Sequence, residues 1–192
     1  MKKIILFILL FSQTSFADDE LIFQNKLNSC KVTKQTFNDY EPIKFNSTNN
    51  LLRQTGQEAI YCGEKIVIKG TLVDNSCVPV TDAKIYLWQA GCDGKYPYQP
   101  LRKMIDKTKL NLKNGSTFTG SGTATSNNKG EFYFTTVYPT RLEPINIRVE
   151  HKDFGSLQTQ LKITEERYQS QNDDVKLYDF KIVMPRKTLK NY

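Results

Sequence analysis

The chain has 192 residues, with 27 Lys and Arg against 20 Asp and Glu and a formal charge of +7. That is one domain's worth of chain, long enough to bury a core. Its basic residues gather only modestly, in 102–113 and 186–190, so the dense stripe with interleaved aromatics that a nucleic-acid surface needs is absent.

Met1–Ala17 opens with Lys2 and Lys3, continues as the apolar run Ile4–Phe11, and ends Ser15-Phe16-Ala17. This is the pattern of a secretory signal peptide, too short to span a bilayer. The mature chain is expected to begin at Asp18, and loss of the two lysines lowers the charge from +7 to +5. No later segment is apolar enough to cross a membrane, so a periplasmic or secreted product is expected.

Residues 18–63 are polar, Asn-rich and weakly periodic, and are read as an N-terminal arm on a domain at 64–185. Within that domain Lys65–Val73 alternates and is rich in Ile and Val. Ala83–Gln89 sets Ile85 and Leu87 against Tyr86 and Trp88, and Glu131–Val137 sets Phe132 and Phe134 against Tyr133. Ile145–Glu150, Leu157–Ile163 and Leu177–Val183 complete the predicted strands. Asp74-Asn75-Ser76, Asp93-Gly94, Asn127–Gly130 and Asp153-Phe154-Gly155 supply turns. Pro97–Thr125 reads as one long connection, a length that is usually functional or mobile. With no capped helical period, the fold class is all-β, an antiparallel sandwich. Residues 186–192 are a basic tail. Asn46 and Asn114 each open a glycosylation-type triplet.

Four cysteines, Cys30, Cys62, Cys77 and Cys92, suggest two disulfides in an oxidising compartment, with three connectivities possible. No pair has the Cys-x-x-Cys spacing of zinc sites. Cys77–Cys92 is the favoured pair because the two flank one strand and its turn, leaving Cys30–Cys62.

Residues Gly70–Tyr96, with Asp74, Pro79, Ala83, Trp88-Gln89, Gly94 and Tyr96 in order, resemble the core motif of intradiol ring-cleavage dioxygenases. Further segments follow in family order. Leu51-Leu52-Arg53 through Gly70 resembles the lead-in, and Cys30-Lys-Val-Thr with Asn38-Asp39-Tyr40-Glu41 faintly resembles the start of secreted members. Gly120-Ser-Gly122, Thr125 and Gly130–Pro139 resemble the next segment, and Leu157-Gln-Thr-Gln the last strand. The resemblance implies a prealbumin- or Ig-like sandwich and ferric iron held by two Tyr and two His, which activates a bound catecholate toward dioxygen.

Tyr96 stands at the first Tyr position. The connection after Pro139 contains no Tyr, although Tyr138 precedes Pro139, and Asn146 and Arg148 stand where the two His belong. Arg141 lies near the family's arginine. The chain contains one histidine, His151, so no register yields two imidazoles, and the guanidinium of Arg148 repels a cation. No cofactor is therefore expected, and Tyr96 is the one surviving ligand position. Trp88 is read as core or sheet-face packing, Tyr96 as structural or pocket-lining, and His151 as a surface residue.

Three functions remain open. The first is an exported, catalytically degenerate domain that binds an envelope partner or a small anionic or aromatic ligand in a pocket of Tyr96, Arg141, Asn146 and Arg148. The second is an active dioxygenase cleaving catechol-type diols at a remodelled Fe(III) site or at one shared within a homo-oligomer. The third is a structural or adhesive module, since fold alone does not fix function.

Overall fold

The computed structural model describes residues 30–113, 115–139, 143–163, 168–169 and 175–186. The expected leader at 1–17, the rest of the expected arm before Cys30, Asn114, Arg141 and the tail after Arg186 lie outside the described residues.

The described residues form eight strands: β1 (Lys65–Asp74), β2 (Lys84–Trp88), β3 (Ser121–Thr125), β4 (Glu131–Val137), β5 (Ile145–His151), β6 (Gly155–Leu161), β7 (Tyr168–Gln169) and β8 (Lys176–Met184). They build two four-stranded sheets, ordered β4-β1-β8-β7 and β3-β2-β5-β6. The apolar rows meet between them: Ile66, Ile68 and Leu72 of β1 face Ile85 and Leu87 of β2 and Ile147 of β5, all fully buried. Tyr133 points outward, 41% exposed, while Phe132 and Phe134 are buried, so the alternation places the predicted faces correctly.

Pairing is antiparallel except between β1 and β8, which run parallel from Ile66↔Lys176 to Asp74↔Met184. Alternation specifies which face is buried but not the direction of a neighbouring strand, so this pairing escapes a sequence reading. Gly70 sits between Phe132 on β4 and Phe180 on β8. A Cβ there would lie 1.9 Å from the Phe132 ring, so the strand interior needs glycine to let that ring cross it.

Two expectations are corrected. The connection after Tyr96 ends at Gly120, because Ser121–Thr125 is a strand paired with β2 from Trp88↔Ser121 to Lys84↔Thr125. The disulfides are Cys30–Cys77 and Cys62–Cys92, not Cys77–Cys92 and Cys30–Cys62. The turn after β1 explains why. Asp74 Oδ1 accepts from the Ser76 and Val78 amides at 2.8 and 2.9 Å, and Cys77 takes a left-handed backbone at φ 65°. Cys77 there packs with Val73, Val183 and Cys30.

The two cystines fasten the arm at both ends, to the turns before and after β2. Between them the chain forms a strap that crosses the outer side of the β3-β2-β5-β6 sheet, then runs between the edges of β3 and β4 and buries Leu51 and Leu52 in the core between the sheets. The amide of Thr36 donates to the Gln158 carbonyl at 2.9 Å, that of Thr123 to Thr48 at 3.0 Å, and that of Leu51 to Thr135 at 2.8 Å. Gly122 allows this approach, since a Cβ would meet the Thr48 carbonyl oxygen at 2.4 Å.

Candidate functional site

The period of two along β2, β5 and β6 sends Trp88, Asn146 and Gln160 to one rung of the outer face, and Tyr86, Arg148 and Gln158 to the next. Under the strap this face is not a solvent surface. Trp88, Tyr96 and Asn146 are all 0% exposed.

Tyr96 follows the turn Gly91–Lys95 and is held by its backbone: its amide donates to Lys109 at 2.8 Å and its carbonyl accepts from Asn111 at 3.0 Å. Its ring stacks on Tyr40 of the strap, centroids 4.5 Å apart and planes 4° off parallel. Tyr98 contacts its edge. The hydroxyl of Tyr96 donates to Glu143 Oε2 at 3.0 Å, and Lys109 Nζ donates to Glu143 Oε1 at 2.6 Å. Glu143 is thus a carboxylate shared by a phenol and an ammonium.

The two positions aligned with histidines are likewise committed. Asn146 donates to the Trp88 and Pro144 carbonyls at 3.3 and 3.2 Å and accepts from Gln160 at 3.2 Å. Arg148 pairs with Glu150 at 2.7 Å and with Glu41 of the strap at 3.2 Å. Its guanidinium lies 4.4 Å from the centre of the Tyr86 ring, a cation–π contact. Its charge is already matched by two carboxylates. Trp88 Nε1 donates to Asn38 Oδ1 at 3.1 Å. The neighbouring Gln89 ties the two sheets together, accepting from Thr136 at 2.9 Å and donating to the Val137 carbonyl at 3.0 Å.

Of the residues expected at a pocket, Tyr96 and Asn146 are brought onto the buried face beside Trp88, Arg148 joins them one rung away, and Arg141 lies outside the described residues. Sequence reasoning missed Glu143, Lys109, Asn38 and Glu41 as partners. An acid next to Pro144, in the segment where a second Tyr was sought, was the available signal for Glu143.

This donor set does not fit a ferric ion. A tyrosine binds ferric iron as its phenolate, yet the Tyr96 hydroxyl keeps its proton for Glu143 Oε2 at 3.0 Å. Asn146 offers a weak neutral oxygen already bonded, and Arg148 a permanent cation. His151 is at the far end of β5, where Nδ1 accepts from the Asp153 amide at 3.2 Å. Its side chain is 11% exposed, better covered than a surface residue, beside a groove of about 900 Å³ that includes Asp82, Lys84 and Phe154. No cluster of three His, Cys, Asp or Glu suited to a metal occurs among the described residues.

A pH prediction follows from the buried phenols. Burial raises Tyr96 well above its ordinary value and Tyr98 far above 10. Such a group is neutral in both folded and unfolded chain below about pH 10, so stability there is unaffected by it. Above that pH the unfolded chain releases protons that the fold retains, and stability falls as pH rises. Tyrosinate absorbance should therefore show at least two phenols, Tyr96 and Tyr98, ionising only with unfolding. Reversible titration of every tyrosine near 10 would contradict this packing.

The sequence profile of the family described as Dioxygenase matches residues 38–150, more than half of the chain. A protein of Rickettsia bellii named "Putative dioxygenase" is 46% identical, with all of both chains covered. One of Rickettsia typhi with the same description is 44% identical over all of both chains. Among solved structures, an intradiol ring-cleavage dioxygenase from Tetranychus urticae superposes with a TM-score of 0.60 at 16% identity, covering 83% of this chain and 98% of that one. A 3-chlorocatechol 1,2-dioxygenase from Rhodococcus opacus gives 0.58 at 13%, covering 88% and 78%. At those identities the likeness is one of fold. With the matched profile and the full-length relatives, it places the chain in the dioxygenase family, with the fold of its intradiol ring-cleavage members.

Proposed function

We propose that this chain is an exported family member in which the ring-cleavage centre has become part of the packed interior, and that it acts as a binding domain in the cell envelope. The carrying observation is the Tyr96–Glu143–Lys109 triad beneath the Tyr40 ring. Tyr96, Lys109, Asn146 and Arg148 each bond another group of the chain. Two disulfides and the leader-like first 17 residues support export, since disulfides persist in oxidising compartments.

The competing reading, an active dioxygenase with a rebuilt iron site, is favoured by the names of the relatives. One preparation decides between them. Mature protein folded under oxidising conditions in an iron-replete host is examined for metal content, visible tyrosinate-to-iron absorption and opening of catechol and protocatechuate rings. We expect a colourless protein with iron far below one per chain and no ring opening. Stoichiometric iron with ring-opened product would overturn the proposal.

A further inference from the structure

We infer that the outer side of the strap and of the loop beside it is a docking surface for a membrane carrying anionic lipids. The inference stands on surface residues only, so it does not depend on whether ring cleavage has been lost. Strap and loop form a two-ply layer over the Tyr96 face. The Ile43 amide donates to the Gln99 carbonyl at 3.0 Å and the Leu101 amide to Glu41 at 2.7 Å, with an antiparallel bridge between Pro42 and Pro100. The layer is well ordered inward, where Tyr40 stacks on Tyr96.

Outward it presents apolar side chains to water. Met104 is 97% exposed, and Ile43 and Leu101 are each 60% exposed. A Met with almost no contact to its own chain is a knob, not the wall of a groove. Protein interfaces of standard kind bury a broad, complementary patch, whereas separate protruding apolar side chains match shallow insertion among lipid chains.

The charges around these knobs fix the kind of lipid. Residues 101–113 contain five cations, Arg102, Lys103, Lys107, Lys109 and Lys113, and one acid, Asp106. Lys109 is turned to Glu143, and Arg102 shares Asp39 at 2.7 Å on the open surface. Lys44, Lys103 and Lys107 take part in no ion pair among the described residues. Cations flanking apolar knobs complement a negative headgroup layer, each contributing about 1 kcal/mol near such a surface.

The test is cosedimentation of the mature oxidised protein with vesicles, either wholly zwitterionic or containing phosphatidylglycerol. Binding is expected only to the anionic vesicles and should weaken as salt rises. The pair Leu101→Ser and Met104→Ser should lower partitioning about tenfold or more. Lys103→Gln should lower it about fivefold. Circular dichroism and thermal melting of each variant should match the parent, because the altered side chains are exposed. No binding of the parent to anionic vesicles, or equal binding by the double variant, overturns the inference. So does retention by envelope proteins without retention by lipid. Iron content is measured on the same preparation: red, iron-loaded protein that still binds vesicles would sink the proposed loss of chemistry and leave this surface intact.

Discussion

Replacing Trp88 by alanine is expected to lower the stability of the protein by about 3–5 kcal/mol, the usual range for deleting a buried large aromatic. The ring is 0% exposed and meets Phe45 of the strap edge-on at 5.8 Å. Its loss also leaves Asn38, which receives the indole N–H at 3.1 Å, without that partner. Trp88→Phe keeps most of the buried area and should cost far less, about 1–2 kcal/mol, through the lost hydrogen bond and the unfilled volume. Denaturant melts give both figures, and limited proteolysis within residues 36–50 tests release of the strap. The result bears directly on function. In an open pocket, truncating a wall residue costs little, so a loss under 1 kcal/mol for Trp88→Ala would mean that this face has room for a ligand and that the packed-interior reading is wrong.

The fold was legible where alternation is strong. β2 and β4 carry large apolar residues at alternate positions, and β1 does so except at Gly70, and their faces follow from that alone. β3 was not legible, because Ser121-Gly-Thr-Ala-Thr125 has no large apolar side chain to mark a face. It earns its place through pairing with β2 and cover from the strap. Chemistry at the centre was legible only in the negative. One histidine in the whole chain rules out two imidazoles by counting, without a structure. What replaced them depends on contacts between distant segments: Glu143 meets Tyr96 across 47 positions and Arg148 meets Glu41 across more than a hundred. No local pattern records such a pairing. The same holds for the cystines, whose partners are set by where the strap begins and ends.

Removing both cystines is expected to have the second large effect, and it reads out the strap itself. Cys30–Cys77 closes 47 residues and Cys62–Cys92 closes 30. In the chain-entropy picture each restricts the unfolded chain by about 4 kcal/mol, and measured losses for native cystines run about 2–5 kcal/mol. The non-covalent bonds of the strap, such as Thr36 to Gln158 and Leu51 to Thr135, are individually worth about 1 kcal/mol net, too little to hold some thirty residues against their conformational freedom. Reduction, or the Cys30→Ala and Cys62→Ala pair, should therefore let residues 30–45 of the strap lift while Leu51 and Leu52 stay with β1, β2 and β5 in the inner core. Trp88 is the only tryptophan in the chain and lies under the strap, so its emission should move to longer wavelength as water reaches it. Reduced protein with unshifted emission and a stability within about 1 kcal/mol of the oxidised form would show that the strap is held by its side-chain contacts alone. The expected outcome bears on the proposed export: in a reducing compartment the cover over Tyr96 would open.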